Sequence, residues 1–287
     1  MLKRWWIVIS LASFIVIPFA LYSYHKTRAE KIRGMIYIPA GEFLMGTEEA
    51  RSIDEVMRYP ERKKTLWPKS IPKRKVNVKG FYIDKYEVTN GQYFGFVKAT
   101  GHTPPCHWKN GIYPLGGENL PVVNVSFYDA QAYAVWRGKR LPTEEEWEKA
   151  AAGEEGRRFC WGDEFFAGKT NTWESGIKRP TPVDKYKEEK SPYGVYGMSG
   201  NVMELTSSWG KPPNEHLIVV KGGSWASDAF DARSQSKLRT PPDIVTNALG
   251  FRCAYSPLSD VLIQKVRTLV KQLSLSSNPQ ATKKNIG

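Results

Sequence analysis

The sequence predicts an α+β domain dominated by loops, with a transmembrane helix ahead of it. Three observations carry this. Residues 5–24, WWIVISLASFIVIPFALYSY, contain no charged residue. The body that follows breaks into short apolar stretches separated by turn formers, with 24 Gly and 19 Pro in 287 residues. Within that body, helix-start signals precede apolar residues at helical spacing.

The apolar run comes first. Twenty residues at 1.5 Å rise span about 30 Å, the thickness of a bilayer core. Lys3 and Arg4 precede it, and Trp5, Trp6, Tyr22 and Tyr24 sit at its ends, where amphipathic rings favour the interface. The competing reading is a cleaved signal peptide. Ala20-Leu21-Tyr22 makes a poor cleavage site because Tyr takes the final small-residue position. No Cys follows, so a lipoprotein anchor is not indicated. Residues 1–25 are therefore read as an anchor and 26–33 as a polar linker. The globular domain spans 34–256, and its expected location is outside the cytoplasm, in the periplasm or on the cell surface.

In the domain, Thr89 is positioned to cap a helix through Tyr93, Phe94 and Val97. Ser126 caps a second, whose Ala130, Tyr133 and Ala134 fall on one face. Thr143-Glu-Glu-Glu146 is a capping box that opens a third, with Trp147 and Ala150 inward. Residues 58–79 are basic and contain Pro, and read as a loop. After Tyr255, Val261, Leu262, Val266, Leu269, Val270 and Leu273 recur at helical spacing among Lys265, Arg267 and Lys271. Residues 257–287 thus read as an amphipathic helix and a disordered tail. The helix either packs on its own domain or meets a partner or membrane surface.

The net charge of +13 invites a nucleic-acid reading, but its distribution does not. Residues 1–33, 58–79 and 257–287 carry nets of +5, +8 and +4, which leaves the rest at −4. Basic segments near a membrane meet anionic headgroups or protein partners. With no nucleic-acid-binding signature, no nucleic acid is expected. At 41% hydrophobic and 13% aromatic residues, the chain has ample core material and is not a disordered chain. Cys106, Cys160 and Cys253 form no CxxC pair, which excludes a zinc ribbon or thioredoxin-like site.

Several segments occur in a telling order. They are Met35-Ile-Tyr-Ile-Pro-Ala-Gly-Glu-Phe-Leu-Met-Gly46, Phe81-Tyr-Ile-Asp-Lys-Tyr-Glu-Val-Thr-Asn90, Pro121-Val-Val-Asn-Val-Ser126 and Gly138-Lys-Arg-Leu-Pro-Thr-Glu-Glu-Glu-Trp147. Trp161-Gly-Asp163, Gly200-Asn-Val-Met-Glu204, Lys221-Gly-Gly-Ser-Trp225 and Leu249-Gly-Phe-Arg-Cys253 follow. Together they closely resemble the formylglycine-generating enzyme (sulfatase-modifying factor) family over nearly the whole body. The resemblance implies a compact, loop-rich fold related to C-type lectins. It also implies that Arg140 is held in the core by polar partners. Independently of it, Gly200, Gly222 and Gly223 permit close backbone approach, and Trp147, Trp161 and Trp225 supply large apolar areas.

What the resemblance implies for chemistry is mostly absent. The enzymes oxidise a substrate Cys with two cysteines that bind copper(I), a metal suited to thiolates. The first of these falls at Ser227, and no Cys occurs from 228 to 240. The iron-dependent branch uses a histidine triad, whereas this chain has His25, His102, His107 and His216 and no His-x-x-x-His pair. No copper or iron is expected, and no residue is assigned as catalytic. A third branch resembles periplasmic pyoverdine-maturation oxidoreductases, for which Asp228 and Asp231 are the nearest acid–base candidates; as isolated residues they read as solvated surface carboxylates. Cys106-His107 reads as loop residues. Cys253 occupies a disulfide position whose usual partner falls at Ala134, so it reads as a buried thiol unless rerouted to Cys106 or Cys160.

The resemblance also implies structural calcium, which takes six to eight oxygen ligands. One site would use the side chains of Asn171 and Asp184 and the carbonyls of Thr172 and Tyr186. A second would use Glu204 and the carbonyls of Gly197, Gly200 and Val202, with Gly197 lacking the side-chain oxygen usual at its position. The functional expectation is a non-catalytic binding or assembly module serving other membrane or periplasmic proteins, such as an accessory subunit of a membrane complex. The alternatives are an oxidoreductase or maturation factor of the same fold, and a glycan or peptide binder.

If residues 5–24 span the bilayer uncleaved, the mature chain keeps its first residues and resists alkaline extraction from membranes. An N-terminus beginning after about residue 22 contradicts the anchor.

Overall fold

The computed structural model describes residues 29–47 and 71–257. Gly34–Tyr255 forms one compact unit; of the other, Met1–Arg33 with Ser256–Gly287, only residues 29–33 and 256–257 are described. Residues 29–32 form a helical turn where the sequence reads as linker. No helix among the described residues is long and apolar enough to cross a membrane. The anchor at 5–24 and the C-terminal amphipathic helix lie outside the described residues.

Nine strands and three α-helices occur among the described residues of the unit. The strands are β1 (Met35–Ile38), β2 (Gly41–Thr47), β3 (Ile71–Val78), β4 (Phe81–Asp84), β5 (Met203–Trp209), β6 (Ile218–Lys221), β7 (Lys237–Thr240), β8 (Leu249–Gly250) and β9 (Ala254–Tyr255). They make a three-stranded sheet in the order β1-β4-β9, a β2-β3 pair, and a four-stranded sheet ordered β7-β6-β5-β8. The last is mixed, because β5 and β8 run parallel while its other pairs are antiparallel.

The helices are α1 (Asn90–Thr100), α2 (Phe127–Trp136) and α3 (Glu144–Ala152). Thr89, Ser126 and Thr143 cap them, each inside a reciprocal capping box closed by Gln92, Asp129 and Glu146. Each box satisfies two backbone N–H groups that the helix cannot. Helix α2 buries Ala130, Tyr133 and Ala134, and α3 buries Trp147 and Ala150, as their spacing predicts. Helix α1 differs: it buries Tyr93 and Phe96, while Phe94 and Val97 are only partly buried.

One basic segment departs from the sequence reading. Residues 71–78 form β3, which pairs antiparallel with β2 from Gly41↔Val78 to Thr47↔Ile71. Its Lys73, Arg74 and Lys75 are exposed, and only Val76 and Val78 at its end alternate toward the core. Exposed cations on a strand discourage further edge pairing, and that composition is what hides it among loop-like residues.

Two apolar cores result. One packs α1 and α2 on β5, β6 and β8 around Tyr93, Tyr133, Leu205, Ile218 and Phe251. The other packs α3 on the first two sheets around Ile38, Phe81, Ile83, Trp147 and Met198. Gly222 makes the second possible: a Cβ there would lie 2.9 Å from the Trp147 ring, and its φ of +90° suits glycine.

Candidate functional site

The turn after β6 is where the family's chemistry would sit. Strand β6 ends at Lys221, and Gly222-Gly223 turns the chain so that Ser224 and Ser227 face each other, Oγ to Oγ, at 3.2 Å. The Ser227 carbonyl accepts a hydrogen bond from the Trp173 N–H, and its own N–H donates to the Ser224 carbonyl. Asp228 Oδ1 accepts the Asp231 N–H at 3.1 Å. Both carboxylates are buried, at 2% and 8% exposure. This corrects their reading as solvated surface groups: the chain folds back over them because Asp228 ties the backbone of its own turn.

The cavity lined by Ser227 and Asp231 measures about 10 Å³, room for roughly one water molecule. The Ser227 hydroxyl meets another hydroxyl and no imidazole. A serine nucleophile needs a base within hydrogen-bond reach. His102 Nε2 lies 2.7 Å from Asp129 Oδ1, and His107 Nδ1 lies 3.1 Å from the Asn124 amide. The neighbour of His107 is thus an amide, and burial lowers its pKa. His216 is exposed.

No disulfide joins the three cysteines. All three are free thiols, with Cys106 exposed and Cys160 and Cys253 fully buried. Burial raises both buried thiols well above their ordinary pKa, the opposite of what thiolate chemistry requires.

A second assembly is charged and lies deeper. Arg252 is fully buried. Its Nε and Nη2 grip Glu204 Oε2 and Oε1, each at 2.6 Å. Nη2 also donates to the Tyr196 and Gly197 carbonyls, and Nη1 to that of Asp84. The Trp147 indole N–H donates to Glu204 Oε2 at 2.8 Å. Around this pair sit two more buried carboxyls, Glu87 and Glu189. Glu87 Oε1 accepts from the Asn201 amide, while its Oε2 has no hydrogen-bond partner and lies 4.0 Å from Arg252. Burial pushes Glu87 up to about 7 against the pull of Arg252, with Glu204 adding to the rise. Burial, and then Glu87, push Glu189 up to about 8. Three carboxyls and one guanidinium cannot all stay charged cheaply in such a place.

Sequence reasoning missed this cluster. Arg252 and Glu87 stood inside quoted motifs with no role, and Glu189 gave no signal. Arg140, which the resemblance places in the core, is 37% exposed at the side chain and forms a bidentate pair with Glu146, both bonds at 2.6 Å. Glu146 already caps α3, so the pair stays at that helix's outer end.

The calcium residues divide. Asn171 and Thr172 are buried in the loop before Trp173, and Asp184 is exposed, 3.4 Å from Lys187. Asn171 Oδ1 accepts from Ser175 Oγ, and the Thr172 and Tyr186 carbonyls each accept one backbone N–H. Each carbonyl keeps a lone pair, so these oxygens are still able to accept. The second set does not fit. Both Glu204 oxygens and the Gly197 carbonyl are already bound by Arg252. A Cβ at Gly197 would lie 2.4 Å from Glu87 Oε2, so that carboxyl fills the space of the missing side chain. Gly200 is similarly closed in, by Thr170 and Asn171, and Val202 is buried.

Motif order, fold and site point one way, and comparison with known proteins agrees. Residues 22–257 match the sulfatase-modifying factor enzyme 1-like domain. The chain belongs to the formylglycine-generating enzyme family. It is 32% identical to the inactive C-alpha-formylglycine-generating enzyme 2 of Mus musculus, over 77% of this chain and 85% of that one. It is also 32% identical to the formylglycine-generating enzyme of Streptomyces coelicolor, over 79% and 90%. The structure of PvdO from Pseudomonas aeruginosa superposes with a TM-score of 0.60 at 28% identity, covering 78% of this chain and 94% of that one. Equal identity to an active and an inactive relative leaves the decision to the site.

The buried carboxyls predict a pH profile. A carboxyl whose pKa is raised on folding binds its proton more tightly in the native state. Its contribution is complete below the ordinary value of 4.5 and is lost as pH rises through about 7 for Glu87 and 8 for Glu189. Urea denaturation midpoints are expected to fall between pH 5 and 8.5, and Glu189→Gln to flatten the upper part of that fall. A wild-type profile flat across the range would mean that something other than protons neutralises the cluster.

Proposed function

We propose that the chain is a non-catalytic binding or assembly module of the formylglycine-generating enzyme family, anchored at a membrane with its domain on the extracytoplasmic side. The observation that carries this is Ser227, a hydroxyl in the position of a copper-binding thiolate, hydrogen-bonded to Ser224 at 3.2 Å and lining a cavity of only about 10 Å³. A hydroxyl is too hard and too weakly acidic to hold copper(I). The scaffold around it is nevertheless complete, as expected if its surface is still used. The basic flanks support a place beside anionic lipid, with membrane or periplasmic proteins as partners. Calcium at Asn171, Thr172, Asp184 and Tyr186 is part of the same reading, as a clamp on two loops. Melting that chelation leaves unchanged in wild type, or that Asp184→Ala leaves as calcium-sensitive as before, would remove it.

The likeness to the PvdO structure supports a second reading, an extracytoplasmic oxidoreductase or maturation factor. It would have to use the buried Asp228 and Asp231 after an opening of the turn. A glycan or peptide binder remains the third expectation from the fold.

The purified full-length chain is expected not to convert a Cys-containing sulfatase-type peptide to formylglycine, with or without added copper. Ser227→Ala is expected to stay folded and to co-purify with the same proteins as wild type in mild detergent. Peptide oxidation by wild type that Ser227→Ala abolishes would overturn the non-catalytic reading and favour the oxidoreductase.

A further inference from the structure

The outer face of the β1-β4-β9 sheet is aromatic. By register, Tyr37 pairs with Tyr82 and Tyr82 with Tyr255, so one tyrosine from each strand shares a row. The ring centroids are 5.1 Å and 6.4 Å apart. Their strand neighbours point the other way: Ile38, Phe81, Ile83 and Ala254 are buried in the second core. Tyr37 is 50% exposed, and Tyr82 and Tyr255 are half-buried. The sheet thus turns a row of amphipathic rings toward water.

Cations stand at both ends of β4. Lys79 is exposed in the turn before it. The Tyr37 hydroxyl lies against the adjoining Gly80, 2.5 Å from where a Cβ would be. Lys85 follows the strand, with its ammonium 5.2 Å from the ring centres of both Tyr86 and Tyr196. Neither lysine has an ion pair among the described residues. Asp84, which shares this face with Met35 by register, is already paired with Lys139 at 2.6 Å and accepts the Cys253 N–H. What remains on the face is tyrosine flanked by unpaired cations. Such side chains suit a bilayer interface, where rings and stems bury and the polar tips reach the headgroups.

The course of the chain selects this face. Among the described residues, β1 is the first strand of the unit and β9 the last, so the chain enters and leaves the domain through this sheet. Ten residues, 25–34, separate the apolar run from β1. Fully extended, they reach at most about 35 Å. A unit of this length has a radius of gyration of about 17 Å, hence a width above about 40 Å. With residues 5–24 in the bilayer, so short a tether keeps the β1 end of the domain on the bilayer side. The sequence that follows β9 adds Lys265, Arg267 and Lys271.

We propose that the face of Tyr37, Tyr82 and Tyr255 docks on the anionic headgroups of the bilayer that holds the anchor, with Lys79 and Lys85 meeting lipid phosphates. This rests on the anchored reading given above, and goes beyond it by fixing which side of the domain meets lipid. Attraction of this kind grows with the negative charge of the membrane surface and fades within a Debye length.

Hydroxyl-radical footprinting of the full-length chain tests this in phosphatidylglycerol nanodiscs, in phosphatidylcholine nanodiscs and in mild detergent. Oxidation of Tyr37 is expected to be at least about threefold lower in phosphatidylglycerol than in the other two, while Tyr128, exposed on α2, is unchanged. Lys79→Glu combined with Lys85→Glu is expected to restore most of the Tyr37 oxidation. Lys79→Glu alone, in an exposed turn, serves if the double variant melts lower. Equal oxidation of Tyr37 in all three media, in a chain that resists alkaline extraction, overturns docking and leaves the anchor standing. Equal protection in all three, or protection indifferent to the lysine variants, means that something other than anionic lipid covers the face and also overturns it. If alkali extracts the chain, the anchor fails separately, and sedimentation with phosphatidylglycerol vesicles decides. Binding that the lysine variants weaken then sustains docking; no binding, or binding indifferent to them, overturns it.

Discussion

The fold depends on a buried guanidinium. Arg252 lies wholly out of water, and an isolated charge there would be prohibitively costly. Its donors are met by both oxygens of Glu204 and by carbonyls of Asp84, Tyr196 and Gly197. Those acceptors come from the start of β5, the end of β4 and the loop at 196–197. Through Glu204 the network also reaches the Trp147 indole on α3. A domain with short strands has few long ladders to hold its parts in register. Here one planar, five-donor side chain sets the meeting point of four segments, and removing Arg252 would leave Glu204 buried beside Glu87 without its cation.

That dependence explains how a catalytic position can be lost while the scaffold persists. The motifs around Glu204, Gly222, Trp147 and Arg252 serve packing and buried polar satisfaction, independent of any reaction at residue 227. Lys221 shows the same division of labour: it precedes the Ser227 turn, yet its ammonium is buried 2.8 Å from Glu148 and 5.6 Å from the Trp147 ring centre. Fold and chemistry are separable in this family. The sulfur ligands are absent from this chain, while the residues that build the scaffold are present.

Much of this was legible in the sequence, for physical reasons. Thr89, Ser126 and Thr143 announced helices because their hydroxyls complete local hydrogen bonds that need no tertiary context. Gly222 was readable as a close approach because so few residues tolerate one. Strand β3 was hidden because its Lys-Arg-Lys run faces water on both sides and carries no period. Arg140 and Arg252 looked alike as single letters; only the packed structure shows that one sits at a helix end and the other at the centre. Glu87 and Glu189 were silent because burial, a tertiary property, is what makes them unusual. Asp228 and Asp231 misled for the same reason, since isolated carboxylates in a polar stretch give no sign that the chain will cover them.

The chain carries the family scaffold with a serine, Ser227, where a metal-binding thiolate would stand. Titrating the full-length, reduced chain with copper(I) against a chromogenic chelator tests it most directly. The chelator is expected to keep its copper at equimolar protein, because Ser227 offers no thiolate and two of the three cysteines are buried with raised pKa. Stoichiometric withdrawal of copper into a tight two-sulfur site would contradict it.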